Sequence, residues 1–342
     1  MYGFLLFLCF QSLPSFLENL EPIRVWEWRS GKTLEAQWDV SRDSDPDKIS
    51  LTTDGEPVVV LLRDLSQEDK QYVLRRREKR NLQKEYEIPD GKKPGERLTR
   101  TLGDVEFAFR WCPPGTFLIG SPTSEKGRWY NETQHSVTLT KGFWMMETEV
   151  TQAQWNAVMG RSFQDEILRY DAVQRALQIG NTDQVFARIA PENPVHYLSW
   201  HACRKFCEQA RRQGLPLCLP TEAQWEYACR AGTTGKFAGD LDAMAWFESN
   251  SQEKIYPVGI LQPNAWGLYD MHGNISEWCA DYFAFFSPEN VTDPQGPKNG
   301  KYRVFRGSHW TSNRAHSRSA KRSAESPSAN VSTIGMRCIL GQ

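Results

Sequence analysis

From residue 24 to about 63 the chain alternates apolar and polar positions in short runs: "RVWEWRS", "LEAQWDV", "KISLTT" and "PVVVLL". A period of two predicts half-buried strands. The turn residues "SGK" and "TDGE" between runs make a small antiparallel sheet or barrel the expected outcome. Ser66 with Asp69 then reads as a capping box opening a helix over "SQEDKQYVLRRREKR", whose basic run is expected to be a solvated face. "EIPDGKKPGERL" has linker composition, which puts a boundary near residue 90 and a connecting stretch over 81–100.

Three further helices are predicted. Thr151 and Gln154 form a capping box, Val150 and Trp155 are placed as a hydrophobic staple, and Gly160 closes the element. Ser199 caps "WHACRKFCEQARRQ", whose Trp200, Cys203, Phe206, Cys207 and Ala210 share one face. Thr221 with Gln224 caps "EAQWEYACRA", ending at Gly232. "QDEILRYDAVQRALQIGNTDQVFARI" looks like a helical insertion between the first two. Beyond Gly232 periodicity is weak, and long stretches of Gly, Asn, Pro and aromatics must satisfy their backbone without obvious ladders.

Composition refines this picture. With 342 residues, 39% apolar and 24% charged, the chain reads as a soluble globular protein with room for two domains. Lys and Arg total 41 against 42 Asp and Glu, so no global field attracts nucleic acid. The apolar stretch Phe4–Phe10 is long enough for a signal-peptide core and too short to span a bilayer. Residues 1–20 are therefore expected to be a signal peptide, and the protein to be secreted, periplasmic or at the cell surface. A buried N-terminal segment is the competing reading. The eight cysteines form no C-x-x-C pair and no zinc spacing with the six histidines.

Two stretches hold candidate chemistry. In "GLYDMHGNISEW", Asp270 and Glu277 flank a Gly-Asn turn, and with the carbonyls of Gly273 and Ile275 they form an oxygen set of the kind calcium takes. Spacing alone equally allows Asp270 to cap a turn and Glu277 to be a surface acid. "RGSHWTSNRAHSRSAKR", residues 306–322, is crowded with Arg, Ser and His and holds no carboxylate and no cysteine. From Pro294 to Ala324 there are eight Lys or Arg and no acid. Arg314, Arg318 and Arg322 suit carboxylate, sulfate or phosphate through bidentate forks, or else pair with acids elsewhere in the domain.

Seven motifs in order, "CPPGTFLIGS", "METEVTQAQW", "NPVHYLSWHACRKFC", "LPTEAQWEYACRAGT", "PNAWGLYDMHGNISEWCADYF", "FRGSHW" and "IGMRC", resemble the sulfatase-modifying-factor superfamily, founded on the formylglycine-generating enzyme. The resemblance runs from about Leu102 to Cys338. It implies an α+β, C-type-lectin-like fold with little regular structure over 101–342, and structural calcium on Asp270, Gly273, Ile275 and Glu277. It also implies a Cys207–Cys338 disulfide and a free Cys229, whose partner position holds Ser319. Residues 22–80, with "WRSGKTLEAQW" and "ISLTTDG", similarly resemble the Sla-type homology domain, a small SH3-like β module.

Founding members hold copper(I) on two cysteines and oxidise a peptide cysteine. Here those positions fall at Thr311 and near His316, and no cysteine lies between Cys279 and Cys338. Soft thiolates are what select copper(I), so copper is not expected. Ser308 matches an active-site serine of the family. The catalytic candidates are Ser308, His309, Thr311 and His316, and the ligand-binding candidates Trp310, Arg314 and Arg318. The expected function is a calcium-stabilised family member binding a peptide, protein or glycan in the old substrate groove. The alternative is an oxidoreductase acting on protein cysteine, or a diverged non-heme metal oxygenase using His309 and His316, with His272 as a third candidate.

Overall fold

In a computed structural model, which describes residues 24–38, 45–53, 56–85, 88–180 and 188–341, the alternating runs pair into one sheet. Its strands are β1 (Arg24–Glu27), β2 (Thr33–Trp38), β3 (Lys48–Thr53) and β4 (Glu56–Leu61), antiparallel and in chain order. Trp26 and Trp38 meet edge to face at 6.3 Å in a core shared with Ile49, Leu51, Val60 and Val73. Helix α1 (Gln67–Glu85) opens as the capping residues require: Ser66 Oγ accepts the Asp69 N–H at 3.2 Å. Asp69 Oδ2 in turn accepts the Glu27 N–H at 2.6 Å, which ties the helix start to β1. The expected signal peptide lies outside the described residues.

The chain divides into two units, 1–87 and 88–342. The stretch expected as linker is therefore corrected at its C-terminal end. Arg97 to Leu102 alternates exposed and half-buried positions and forms β5, paired along its whole length with β6 (Val105–Cys112). Upstream, Gly91 lies against Trp111, where a Cβ would come within 2.2 Å of the ring, and the Gly95 N–H donates to Trp111 O. Turn-forming composition here marks close packing rather than a tether.

The second unit mixes short strands and helices. One sheet has the order β10 (Leu217–Cys218), β16 (Ile339–Leu340), β9 (Phe143–Met146), β6, β5. Another runs β14 (Arg322–Glu325), β13 (Arg303–Arg306), β11 (Ser276–Tyr282), β15 (Ile334–Gly335). A third is β12 (Val291–Thr292), β8 (His135–Leu139), β7 (Gly115–Ile119). Helices are α2 (Gln152–Met159), α3 (Phe163–Ile167), α4 (Asp171–Gln178), α5 (Trp200–Arg212), α6 (Glu222–Arg230) and α7 (Leu241–Met244).

The predicted helices form where their caps place them. Both halves of the boxes at Thr151 and Thr221 are made, and Ser199 Oγ accepts the Ala202 N–H. Val150 and Trp155 are buried, and Trp155 stacks on Phe206 at 5.5 Å, joining α2 to α5. Helix α6 departs from an amphipathic surface helix. Every residue except Gln224 is buried, Glu222, Glu226 and Arg230 included. A charged helix so enclosed needs partners, and they come from the basic stretch 306–322.

Candidate functional site

The arginines of that stretch are mostly committed to buried glutamates. Arg306 on β13 is fully buried, pairs with Glu226, and donates from Nη1 to the carbonyls of Ala320 and Lys321. Arg322 on β14 grips Glu222 with two bonds of 2.6 Å. Arg318 gives Nη1 and Nη2 to Glu132 and Nη1 to Glu125, each at 2.7 Å, and Nε to Ala315 O. It is 1% exposed, with both sides of its fork on glutamates. Arg314 differs. It is exposed, stands 5.4 Å from the Phe247 ring, and makes a surface pair with Asp242.

The proposed catalytic residues lie in one neighbourhood without forming a catalytic set. Ser308 is buried, and its hydroxyl donates to His272 O at 2.8 Å with Ser317 Oγ also at 2.8 Å. No imidazole nitrogen receives its proton. His272 Nδ1 donates to Ser317 O at 2.8 Å while Nε2 accepts the Ala238 N–H at 3.0 Å. Burial holds that ring neutral, its pKa lowered to about 4. His309 is lowered to about 4 by burial and then by His316, and its Nδ1 is 3.0 Å from Thr311 Oγ1. His316 faces the Trp129 ring edge-on at 6.1 Å, and burial followed by Lys321 and Arg318 lowers its pKa. The positive neighbours oppose a metal cation at the two imidazoles. Among the described residues no group of three or more His, Cys, Asp or Glu side chains is arranged to hold a metal. Trp310 is buried against Ile255 and Ile275, with Arg188 stacked 4.4 Å over its ring.

The calcium candidates separate. Glu277 is engaged with Arg337 through bonds of 2.8–3.1 Å and accepts the Trp225 indole N–H at 2.6 Å. Both oxygens of that carboxylate accept from these partners. Asp270, buried and at φ 61°, uses Oδ2 to accept the Gly259 N–H at 2.7 Å and leaves Oδ1 without a hydrogen bond. Glu149, two residues before the α2 cap, has both carboxyl oxygens buried without a hydrogen bond, Oε2 lying 3.9 Å from Arg337 Nη2. Burial and then the charge of Asp270 raise Glu149 well above the carboxylate range, and burial raises Asp270 to about 6 against the Gly259 N–H, Arg337 and the Glu149 side chain, which lower it. Two buried carboxyls beside one another, Asp270 and Glu149, are hard oxygen donors of the kind a divalent ion takes. The sequence reading missed Glu149; its signal is an acid placed directly beside the apolar staple residue Val150.

Among the described residues the cysteines are buried, with Cys218 part-exposed. Cys207 and Cys338 face each other with sulfurs 3.8 Å apart, unbonded. Cys229 is a thiol raised to about 12 by burial, beside Ser319 and 3.7 Å from His272 Nε2.

The chain matches the family model of the sulfatase-modifying factor enzyme 1-like domain over residues 107–341. It is 32% identical over 169 residues to the formylglycine-generating enzyme of Bos taurus, covering 43% of this chain and 44% of that protein. It is 34% identical over 157 residues to serine/threonine-protein kinase pkn1 of Chlamydia pneumoniae, covering 43% of this chain and 24% of that one. The chain thus spans less than half the length of these curated relatives. Among solved structures, Treponema denticola variable protein 1 superposes with a TM-score of 0.59 at 26% identity, over 71% of this chain and 98% of that one. With motifs in order, a mixed sheet-rich unit to carry them and a match over most of that unit, the chain belongs to the sulfatase-modifying factor family.

Proposed function

We propose that this chain is a member of the family without copper chemistry, binding a peptide, protein or glycan partner on the face around Thr311, Asn313 and Arg314. The observation that carries the reading is the absence of sulfur: no cysteine lies between Cys279 and Cys338. A hydroxyl at Thr311 and an imidazole at His316 do not replace the thiolate pair that selects copper(I). Ser308 Oγ donates its proton to a carbonyl, so no base is set to activate it. The exposed groups that remain, Trp129, Tyr130 and Arg314, are of the kind that recognise apolar side chains, sugar rings and carboxylates.

The same proposal includes a C-type-lectin-like fold with structural calcium between Asp270 and Glu149, neighbouring buried acids that each keep an oxygen without a hydrogen bond. It takes residues 22–80 as a Sla-type, SH3-like module, and residues 1–20 as an export signal placing the protein outside the cytoplasm. No described helix is long and apolar enough to cross a membrane. Copper(I) competition against a colorimetric chelator, with oxygen uptake on a cysteine peptide, tests the central claim. The expected result is no stoichiometric copper and no uptake. Conversion of the peptide thiol to an aldehyde by the purified protein overturns it.

A further inference from the structure

A cavity of about 270 Å³ lies between β7, β8, β12 and the loop after β11, and contains none of Ser308, His309, Thr311 or His316. Its walls are apolar, built on Ile119, Val137, Val291, Phe285 and Phe286. Two buried acids also line it, Asp281 at 5% exposure and Glu222 at 3%, together with His135 and Arg322. Asp281 Oδ2 accepts the Glu222 N–H at 2.8 Å, and Oδ1 receives no hydrogen bond from another described residue. The arginine in the lining is already engaged, because Arg322 spends Nε and Nη2 on Glu222, the other lining acid, and stacks 3.4 Å over Phe286. Burial and then the charge of Glu222 push the Asp281 carboxyl up to about 7. The pocket is short of positive charge.

At the mouth, Phe285 is 63% exposed and packs 5.7 Å from Tyr130 and 5.8 Å from Phe283. Aromatic faces attract cations, and a carboxylate desolvated in an apolar recess attracts them more strongly. The volume sits near the low end of small-molecule pockets, on the order of 300 Å³, room for one ring and a short chain.

We propose that this cavity binds a small molecule carrying a protonated amine on an apolar body, the ammonium held by Asp281 and the body by Phe285 and Phe286. This site is separate from the face around Thr311, and its standing does not depend on that reading. A lysine side chain or peptide amino terminus offers the same ammonium; the cavity's size favours the free molecule.

Phenethylamine is the probe, phenethyl alcohol its neutral match, and a lysine-containing dipeptide the peptide source, titrated into the full chain by calorimetry and ligand-observed NMR. The amine is expected to saturate, with the alcohol weaker by about tenfold or more. Asp281→Asn, which keeps an acceptor oxygen for the Glu222 N–H, is expected to erase that difference. Phe285→Ala, at an exposed rim position, is expected to weaken the amine about threefold or more and keeps the test open if Asp281→Asn fails to fold. The proposal is overturned by equal affinity for amine and alcohol, by unchanged amine binding in either variant, or by no saturation below about 10 mM. Tighter binding of the dipeptide than of the free amine overturns it in favour of a peptide ligand.

Discussion

Arg314 and Arg318 stand four residues apart and do opposite work. Arg318 is enclosed with Glu132 and Glu125, whereas Arg314 shares a surface pair with Asp242. Removing one member of a buried pair strands the other charge, so Arg318→Ala is expected to cost about 3–5 kcal/mol in urea unfolding. Arg314→Ala is expected to stay within about 0.5 kcal/mol. His272 sets a pH dependence. Its folded pKa of about 4 lies below the ordinary 6.5, so the unfolded chain binds the extra proton between those values. The stability this group contributes is present above pH 6.5 and is lost as pH falls toward 4, on the order of 3 kcal/mol for a ring so buried. The loss measured between pH 7 and 5 is expected to shrink in His272→Gln; an unchanged slope rules the ring out as its source. Calcium at about a hundredfold excess over its Kd is expected to raise the melting temperature at pH 8 by about 5 °C. Asp270→Asn is expected to abolish the shift, and a shift that survives it places the ion elsewhere.

Elements whose signals are local were legible in the sequence. The caps at Thr151, Ser199 and Thr221 fix the starts of α2, α5 and α6, because a side-chain oxygen three residues before a backbone N–H is a short-range arrangement. Strands β12, β15 and β16 were not legible, since two residues carry no period and their partners lie far away, as when Ile339 pairs with Met145. Exchange of partners also hid the ligand sets. Glu277 has calcium spacing from Asp270, yet Arg337 reaches it from 60 residues downstream, while Glu149 comes to Asp270 from the segment between β9 and α2. The turn between Asp270 and Ser276 makes a sharper claim. A Cβ on Gly273 would lie 2.3 Å from Trp246 O, and the Asn274 N–H donates to that same carbonyl. Gly273→Ala is therefore expected to cost about 3 kcal/mol by displacing backbone that no side-chain rotation relieves. A loss below about 1 kcal/mol would show that Trp246 gives way freely.

At the scale of the whole chain, the two units keep separate interiors. Among the described residues, the core around Trp26 and Trp38 draws on residues up to Val73, and the core around Trp155, Phe206 and Trp278 on residues from Ile88 onward. The larger unit closes its own sheets, with β16 near the C-terminus inserted between β9 and β10, so its long-range ladders need nothing before residue 88. A fragment of residues 88–342 is therefore expected to fold alone, with a single urea transition whose midpoint lies within about 10% of that domain's transition in the full chain. Its near-ultraviolet circular dichroism, dominated by buried tryptophans such as Trp155, Trp225 and Trp278, is expected to persist. The smaller unit faces a harder balance, because a domain of about 60 residues buries a smaller fraction of its surface and sits close to the limit of independent stability. An 88–342 fragment that loses its aromatic dichroism would mean that the larger core is completed by the first unit, and the division at Glu87 would then be geometric and not energetic.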